Sequence, residues 1–185
     1  IASMPKSTTY ILRWRGVGGE TQLPVDPLRK ALTELGFTGV TTYINSGNAL
    51  VRSTFTRDKT LAKVVELCKE QFGFDKPIFA STAAEWAEVI ANNPFPNALA
   101  TPKFLHAALL ASAADAARIK AIQAIAVDGE QLKVVKCVAY IHTPNGFGTS
   151  KMAAKFDKGI GVVNTARNWN TVLKLHELAL ALEEM

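Results

Sequence analysis

The order of strand-like and helix-like segments constrains this chain most, because the same order occurs twice in 185 residues. In the first half, short stretches rich in β-branched and aromatic residues alternate with amphipathic stretches in the order β-α-β-β-α-β. The first helix is predicted from Asp26 as N-cap, Pro27 at the first helical position and Gly36 at its end. A turn sequence at Asn45–Asn48 joins the two central strands. This order predicts a split βαβ unit.

The second half repeats the order after a proline-rich connection at Asn92–Pro102. A helix opened by Ser112 and a shorter helix over residues 149–156 lie between strand-like stretches, and a long helix from about Asn168 to Glu184 ends the pattern. The sequence therefore predicts an α+β fold with two ferredoxin-like βαββαβ halves plus a C-terminal helix.

The two halves are predicted to form separate units. The first unit, with a trailing helix, spans residues 5–92, and the second, with the C-terminal helix, spans residues 103–185. The four residues before Pro5, Ile-Ala-Ser-Met, are interpreted as a leader remnant and take no part in the predicted fold.

Composition predicts a soluble globular protein. Hydrophobic residues make up 48% of the chain, which is enough to bury a substantial core. The sequence has no apolar run near the roughly 18 residues that span a bilayer and no secretory start, so we expect a cytoplasmic protein without membrane contact. The net charge of +5 is compatible with an acidic small ligand, a phosphate or RNA. No feature indicates the oligomeric state.

The cysteines and histidines do not form a metal-binding pattern. Cys68 and Cys137 each lie inside an apolar periodic segment, so we expect both to be buried and unpaired. His106, His142 and His176 are dispersed along the chain and form no spaced set of ligands with carboxylates or cysteines. The sequence therefore predicts no metal site and no cofactor.

Four loops carry polar residues and glycines that core packing does not explain: Arg15–Glu20, Asn45–Asn48, Asn145–Lys151 and Thr165–Val172. Loops from equivalent strand ends can meet in a βαββαβ unit, so we expect these four to form one positively charged cleft between the halves. The candidate ligand-binding residues are Arg15, Gly18, Gly19, Ser46, Asn48, Ser150, Lys151, Arg167, Asn168 and Asn170.

Helix N-termini favour anions in two of these loops, but ordinary capping explains the same residues. Exposed N–H groups beside Lys151 attract phosphate or carboxylate, whereas a plain N-cap needs only Thr149 or Ser150. Likewise, Asn168 can cap the last helix while Arg167 binds a carboxylate or loop carbonyl groups. The Walker spacing and the G-x-G-x-x-G spacing are both absent, which argues against a nucleotide triphosphatase and a dinucleotide site.

These features support three functional hypotheses. The first is a non-catalytic binding module for a small anionic or phosphate-bearing ligand. The second is RNA or single-stranded nucleic-acid binding, although the central strands lack the aromatic set of an RNA-recognition motif. The third is a transferase-like enzyme that uses Lys151 and Arg167 on a phosphate. Glu20 is the only carboxylate in the four loops, so no catalytic residue is assigned and the sequence does not decide whether the protein is an enzyme.

Several motifs also resemble a known family. The stretches LRWRGVGG, LGFTGVTTYINSGNALV, FGFDKPI, NPFP, GTSKMAA and TARNWNTVLKL occur in the order typical of the uncharacterised bacterial domain-of-unknown-function family number sixteen ninety-seven. The resemblance implies two ferredoxin-like halves and brings no established activity. The chain departs from the family where Arg15-Gly16 runs directly into Val17 without an intervening Ile-Asn pair, and where Glu20 replaces a common basic residue.

Overall fold

The computed structural model of the protein describes residues 6–18, 22–44 and 47–185. Within these residues the chain forms two four-stranded antiparallel sheets, each packed against helices. In each sheet the first strand lies between the third and the fourth, which is the ferredoxin-like order. The predicted α+β fold with two such halves and a C-terminal helix is confirmed. No described helix is long and apolar enough to cross a membrane.

The first sheet has the strand order β2-β3-β1-β4. Its elements in chain order are β1 (Thr8–Trp14), α1 (Val25–Glu34), β2 (Thr38–Thr42), β3 (Asn48–Ser53), α2 (Arg57–Phe72) and β4 (Ile78–Thr82), followed by α3 (Ala83–Ala91). Alternation along β1 places Tyr10, Leu12 and Trp14 in one hydrophobic core with Leu32 and Val64 of the two helices.

The opposite face of β1 carries a buried arginine. Arg13 is 1% exposed and donates a hydrogen bond to Ser81 at 2.9 Å. Its guanidinium carbon lies 4.9 Å from the ring centroid of Trp86. The aromatic ring and the hydroxyl together accommodate a charge that burial alone would destabilise.

Helix α1 begins earlier than predicted. The N–H of Leu28 bonds to the carbonyl of Pro24 at 3.0 Å, so the helix starts at Val25, and Pro24 is an N-cap without a side-chain bond. Asp26 lies in the first turn and pairs with Arg29 instead of capping. The prediction of Asp26 as N-cap is therefore wrong, because the backbone reaches helical conformation one residue ahead of it.

The second sheet has the strand order β6-β7-β5-β8. Two short 3-10 turns, Pro96–Ala100 and Pro102–Phe104, precede β5 (Leu105–Leu110), α4 (Ala116–Gln123), β6 (Gln131–Val135), β7 (Val138–His142), α5 (Lys151–Gly159), β8 (Asn164–Asn168) and α6 (Trp169–Glu183). Ala108, Ile141 and Leu132 of the sheet pack with Ile122 and Phe156 of the helices in a second hydrophobic core.

Helix α4 is capped by Asp115, so the prediction of Ser112 as its first residue is wrong. The Asp115 carboxylate accepts the N–H of Ala117 at 2.8 Å. Residues 111–115 form the connection from β5, where the N–H of Ala111 bonds to the carbonyl of Val163 at 2.8 Å. The backbone around Ser112 is therefore held beside the end of the sheet before the helix begins.

The two cysteines are free, and only one is buried. Cys68 lies in the first core, where Trp14 Nε1–H donates to its sulfur at 3.4 Å and burial raises the pKa of the thiol. Cys137 is exposed, and the prediction that it is buried is wrong. Cys137 and Lys136 form the two-residue turn between β6 and β7, and Lys136 has a φ of +56°.

By compactness, the chain divides into one unit of Ile1–Ala87 with Leu175–Met185 and a second unit of Glu88–Lys174. In the first unit, Arg52 donates to the carbonyl of Leu182 at 3.0 Å and pairs with Glu183 at 3.3 Å. These contacts hold the end of α6 beside β3. The boundaries expected from the proline-rich connection, residues 5–92 and 103–185, stay a prediction.

Candidate functional site

Three loops meet at one end of the first sheet. The end of β1, the β2–β3 connection and the start of β4 lie there because β1 pairs antiparallel with both neighbours. The N–H of Trp14 donates to the carbonyl of Gly47 at 3.0 Å, and the N–H of Arg15 donates to the carbonyl of Pro77 at 3.0 Å. The glycine-rich end comprises Arg15–Gly18, Gly47, Asn48 and Lys76. The end of β1 and the β2–β3 connection therefore lie side by side within this unit.

Two glycines in this region allow close approach. A Cβ atom at Gly16 would lie 2.8 Å from Cδ of Lys76, whose Nζ donates to the carbonyl of Gly16 at 3.3 Å. A Cβ atom at Gly47 would lie 3.0 Å from the carbonyl oxygen of Trp14 and 3.1 Å from Cγ2 of Val17. Both glycines have positive φ, so any other residue would also strain the backbone.

The glycine-rich end carries charged side chains beside exposed backbone. Arg15 is half-buried, whereas Gly16, Gly18 and Lys76 are exposed. The side chain of Lys76 lies across Gly16, next in the chain to Arg15. Asp75 is also exposed and reduces the net positive charge locally. The exposed ammonium of Lys76 is therefore the positive group that this loop presents, and it bonds to the carbonyl of Gly16.

Three other predicted residues in this unit differ in outcome. Asn48 is 4% exposed, and its side-chain amide donates to the carbonyl of Tyr43 at 3.4 Å, which closes the connection between β2 and β3. Gly19 and Ser46 lie outside the described residues. Asn48 is therefore buried, and its side-chain amide has a structural contact within the fold.

The start of α5 is a capped helix N-terminus. Ser150 Oγ accepts the N–H of Ala153 at 3.1 Å, so the alternative in which Ser150 caps this helix is confirmed. Lys151, the first helical residue, is exposed. The hydroxyl of Ser150 has a structural contact, while the lysine ammonium faces solvent.

Arg167 and Asn168 bond to nearby groups of their own unit. Arg167 donates to Thr165 Oγ1 at 2.6 Å and to the carbonyl of Ala166 at 2.8 Å, and burial lowers its pKa to about 10. Asn168 accepts the N–H of Asn170 at 3.0 Å and donates to the carbonyl of Lys103 at 2.9 Å. The alternative in which Asn168 caps α6 and Arg167 binds a carbonyl is confirmed; Asn170 itself is exposed.

The sequence does not single out Lys76, which the structure places at the glycine-rich end. The signal available was topological: in a β-α-β-β-α-β unit the fourth strand pairs antiparallel with the first, so the residues before β4 lie beside those after β1. That the loops of both halves form one shared cleft stays a prediction.

His106 lies on β5 beside the loop that leads to α5. Its ring stacks on Phe147, with centroids 3.8 Å apart and planes inclined by 22°. Burial lowers the pKa of His106 to about 4 and also lowers that of His142. In the described part of the chain, no group of three or more histidine, cysteine, aspartate or glutamate residues could hold a metal ion.

The burial of His106 predicts a loss of stability in mild acid. The unfolded residue binds a proton below its ordinary value of 6.5, whereas the folded residue does so near pH 4, so the free energy of unfolding should fall as pH drops between these values. His106→Phe keeps a ring against Phe147 and should flatten this part of the profile. Urea unfolding of the wild type and of His106→Phe at pH 7, 6, 5 and 4.5 measures how steeply the free energy of unfolding changes with pH in each protein. Equal slopes in the two proteins would contradict the assignment of this acid sensitivity to His106.

Comparison with known proteins identifies relatives but no activity. A family model described as "Protein of unknown function (DUF1697)" matches residues 7–140. The solved structure of a conserved bacterial protein from Streptococcus pneumoniae is similar, with a TM-score of 0.75 and 21% identity over 94% of this chain and 99% of that one. No curated protein matches significantly. At this identity the structural likeness supports the fold alone.

Proposed function

Because the chain belongs to the family of proteins of unknown function DUF1697, we propose its function from the geometry of its own loops. The protein is a non-catalytic binding module for a small anionic or phosphate-bearing ligand. The glycine-rich end of the first sheet is its site, with Arg15, Gly18 and Lys76 as the contacting residues.

The observation that carries this proposal is the position of Lys76 across Gly16. The lysine is exposed and lies beside a loop with two exposed glycines, Gly16 and Gly18. A phosphate or carboxylate there gains a charge-assisted hydrogen bond from the lysine, and Gly18, where a Cβ atom would meet nothing within 4 Å, leaves room for close approach. Asn48 supports the site by closing the connection that holds Gly47 against Trp14.

The proposal extends to two exposed residues of the second unit. Lys151 and Asn170 are exposed and could contact the same ligand if the predicted shared cleft forms. Ser150, Arg167 and Asn168 then act as supports, since each has hydrogen bonds inside its own unit. From the two free cysteines and the composition, we also propose a cytoplasmic location.

The test is a calorimetric titration of the full chain with pyrophosphate, with exposed lysines exchanged in matched pairs. Lys76→Ala should weaken binding about tenfold or more, because one charge-assisted contact contributes about 1.5 to 3 kcal/mol. Lys30→Ala, an exposed lysine of α1, should leave the affinity unchanged.

Two further titrations test the contribution of the second unit and the nucleic-acid hypothesis. Lys151→Ala against Lys155→Ala tests whether the second unit contributes to the site. A single-stranded RNA oligonucleotide tests the nucleic-acid hypothesis. The proposal of an anion site is wrong if pyrophosphate does not bind, or if Lys76→Ala and Lys30→Ala have the same affinity for pyrophosphate. Binding of RNA alone would favour the nucleic-acid hypothesis.

A further inference from the structure

A groove of about 460 Å³ lies beside β6, wholly within the second unit. β6 is the end strand of its sheet, since it pairs with β7 on one side and with no other described strand. The groove is lined by Pro94 and Phe95 of the proline-rich segment, by Gln123 and Ala126 at the end of α4, and by residues 130–133 at the start of β6. Exposed sheet edges of this kind are where an extended peptide can add as a further strand.

The backbone of Leu132 points away from β7 toward this groove. Gln123 Nε2–H donates to the carbonyl oxygen of Leu132 at 2.8 Å, so this carbonyl group lies on the open side of the strand. In an antiparallel strand the N–H and C=O of one residue point to the same side, and every second residue repeats that direction. The N–H of Leu132 and both backbone groups of Val134 therefore face the open edge as well. The side-chain amide of Gln123 occupies the position that an N–H of a neighbouring strand would take.

The edge of β6 is regular, which suits the addition of a strand. All five residues of β6 pair with β7 in one continuous register. The corresponding end strand of the first sheet, β2, shifts its register between Thr38 and Thr41. Irregularities of that kind protect an edge against pairing with another chain, and β6 lacks one.

The charge of this region indicates which kind of strand fits. Lys133 lines the groove and is exposed, and Lys136 is exposed in the turn that follows β6. Glu130, the carboxylate of the lining, is 9% exposed and accepts the N–H of Val127 at 3.1 Å. Residues 88–174 contain ten lysines and arginines and five aspartates and glutamates, so the second unit carries the whole formal net charge of +5. Pairing of two copies through β6 would bring their lysines together, whereas an acidic strand meets opposite charges.

We propose that the edge of β6 binds an extended peptide segment of a partner protein, in which acidic residues alternate with apolar ones. Successive side chains of an added strand lie on opposite faces of the sheet, one set beside Lys133 and the other beside Leu132 and Ala126. The backbone groups of Val134 pair with the segment, and an N–H of the segment replaces the amide of Gln123. The inference is independent of the anion site, because it rests on different residues in a different unit.

The test is a ¹H–¹⁵N NMR titration of the full chain with a capped peptide of alternating valine and glutamate, about as long as β6. Saturable shifts should centre on the amides of Leu132 and Val134. Val134→Pro removes an N–H at the open edge, where a strand tolerates proline, and should abolish binding. Val134→Thr keeps that N–H and should bind like the wild type. Circular dichroism checks that both variants are folded.

Gln123→Ala tests the exchange of partners at Leu132. The substitution removes the donor that occupies the carbonyl of Leu132, so the peptide no longer has to displace it. The affinity for the peptide should rise about twofold to tenfold, the equivalent of one net hydrogen bond. Weaker binding in Gln123→Ala would show that the segment does not pair at this carbonyl and would overturn the proposed mode.

A pair of exposed lysines provides the control for charge. Lys133→Glu should weaken binding about threefold to tenfold, whereas Lys158→Glu, on α5 of the same unit, changes the net charge equally and should have little effect. The absence of saturable shifts at β6, or equal binding by Val134→Pro and Val134→Thr, would overturn the proposal. So would a dimer of the wild type that Val134→Pro dissociates, because a second copy would then cover this edge.

Discussion

Trp14→Ala should lower the free energy of unfolding by about 3 to 5 kcal/mol, the usual cost of emptying a buried aromatic site. Trp14 is 1% exposed, packs in the first core and donates its indole N–H to the sulfur of Cys68. Its backbone N–H, which bonds to the carbonyl of Gly47, is retained in the alanine variant, so the loss comes from the side chain alone. Urea unfolding monitored by circular dichroism measures the change.

Trp14→Phe provides the control, because it keeps most of the ring volume and removes only the N–H contact with Cys68. Its cost should be well below that of the alanine variant. If Trp14→Ala costs less than about 1 kcal/mol, the side chain does not occupy a close-packed core.

Gly47→Ala should cost about 2 to 4 kcal/mol and should also reduce pyrophosphate binding. The residue has a φ of +88°, which a Cβ atom makes unfavourable, and the added atom would crowd Trp14 and Val17. The β2–β3 connection would then move away from the end of β1, and the amides of the glycine-rich end would lose their arrangement. Urea unfolding and calorimetry measure the two effects.

Gly73→Ala is the matched control for Gly47→Ala. Gly73 ends α2 with a φ of +63°, and a Cβ atom there would meet nothing within 4 Å. Its substitution should cost about 1 to 2 kcal/mol from backbone strain alone and leave pyrophosphate binding unchanged. Equal effects of the two variants on stability and binding would show that the contacts of Gly47 do not shape the site.

Local signals made much of the fold predictable. Gly73 ends α2 in the left-handed conformation that a glycine after a helix favours, and the element order specified two ferredoxin-like sheets. The errors lie where two segments of similar composition meet. The pattern around Cys137 predicts an apolar strand, but strand pairing places this residue in a turn. The pattern around Ser112 predicts a helix start, but residues 111–115 form the connection after β5 and Asp115 caps the helix.

The candidate site was less predictable because capping and anion binding use the same atoms. A serine hydroxyl such as that of Ser150 or an asparagine amide such as that of Asn168 bonds equally well to a helix end or to a ligand, and only coordinates distinguish the two. Lys76 was hidden for a different reason. Lys76 lies close to Gly16 because β4 pairs with β1, and these two strands are distant in the chain.

The most direct test of the anion site is a two-dimensional ¹H–¹⁵N NMR titration of the full chain with pyrophosphate at moderate salt. We expect saturable shifts centred on the backbone amides of Gly16, Val17, Gly18 and Lys76, and their loss in Lys76→Ala. Sodium chloride at matched ionic strength should not reproduce them. Shifts that do not saturate, or that centre on residues away from the glycine-rich end, would contradict the proposed site.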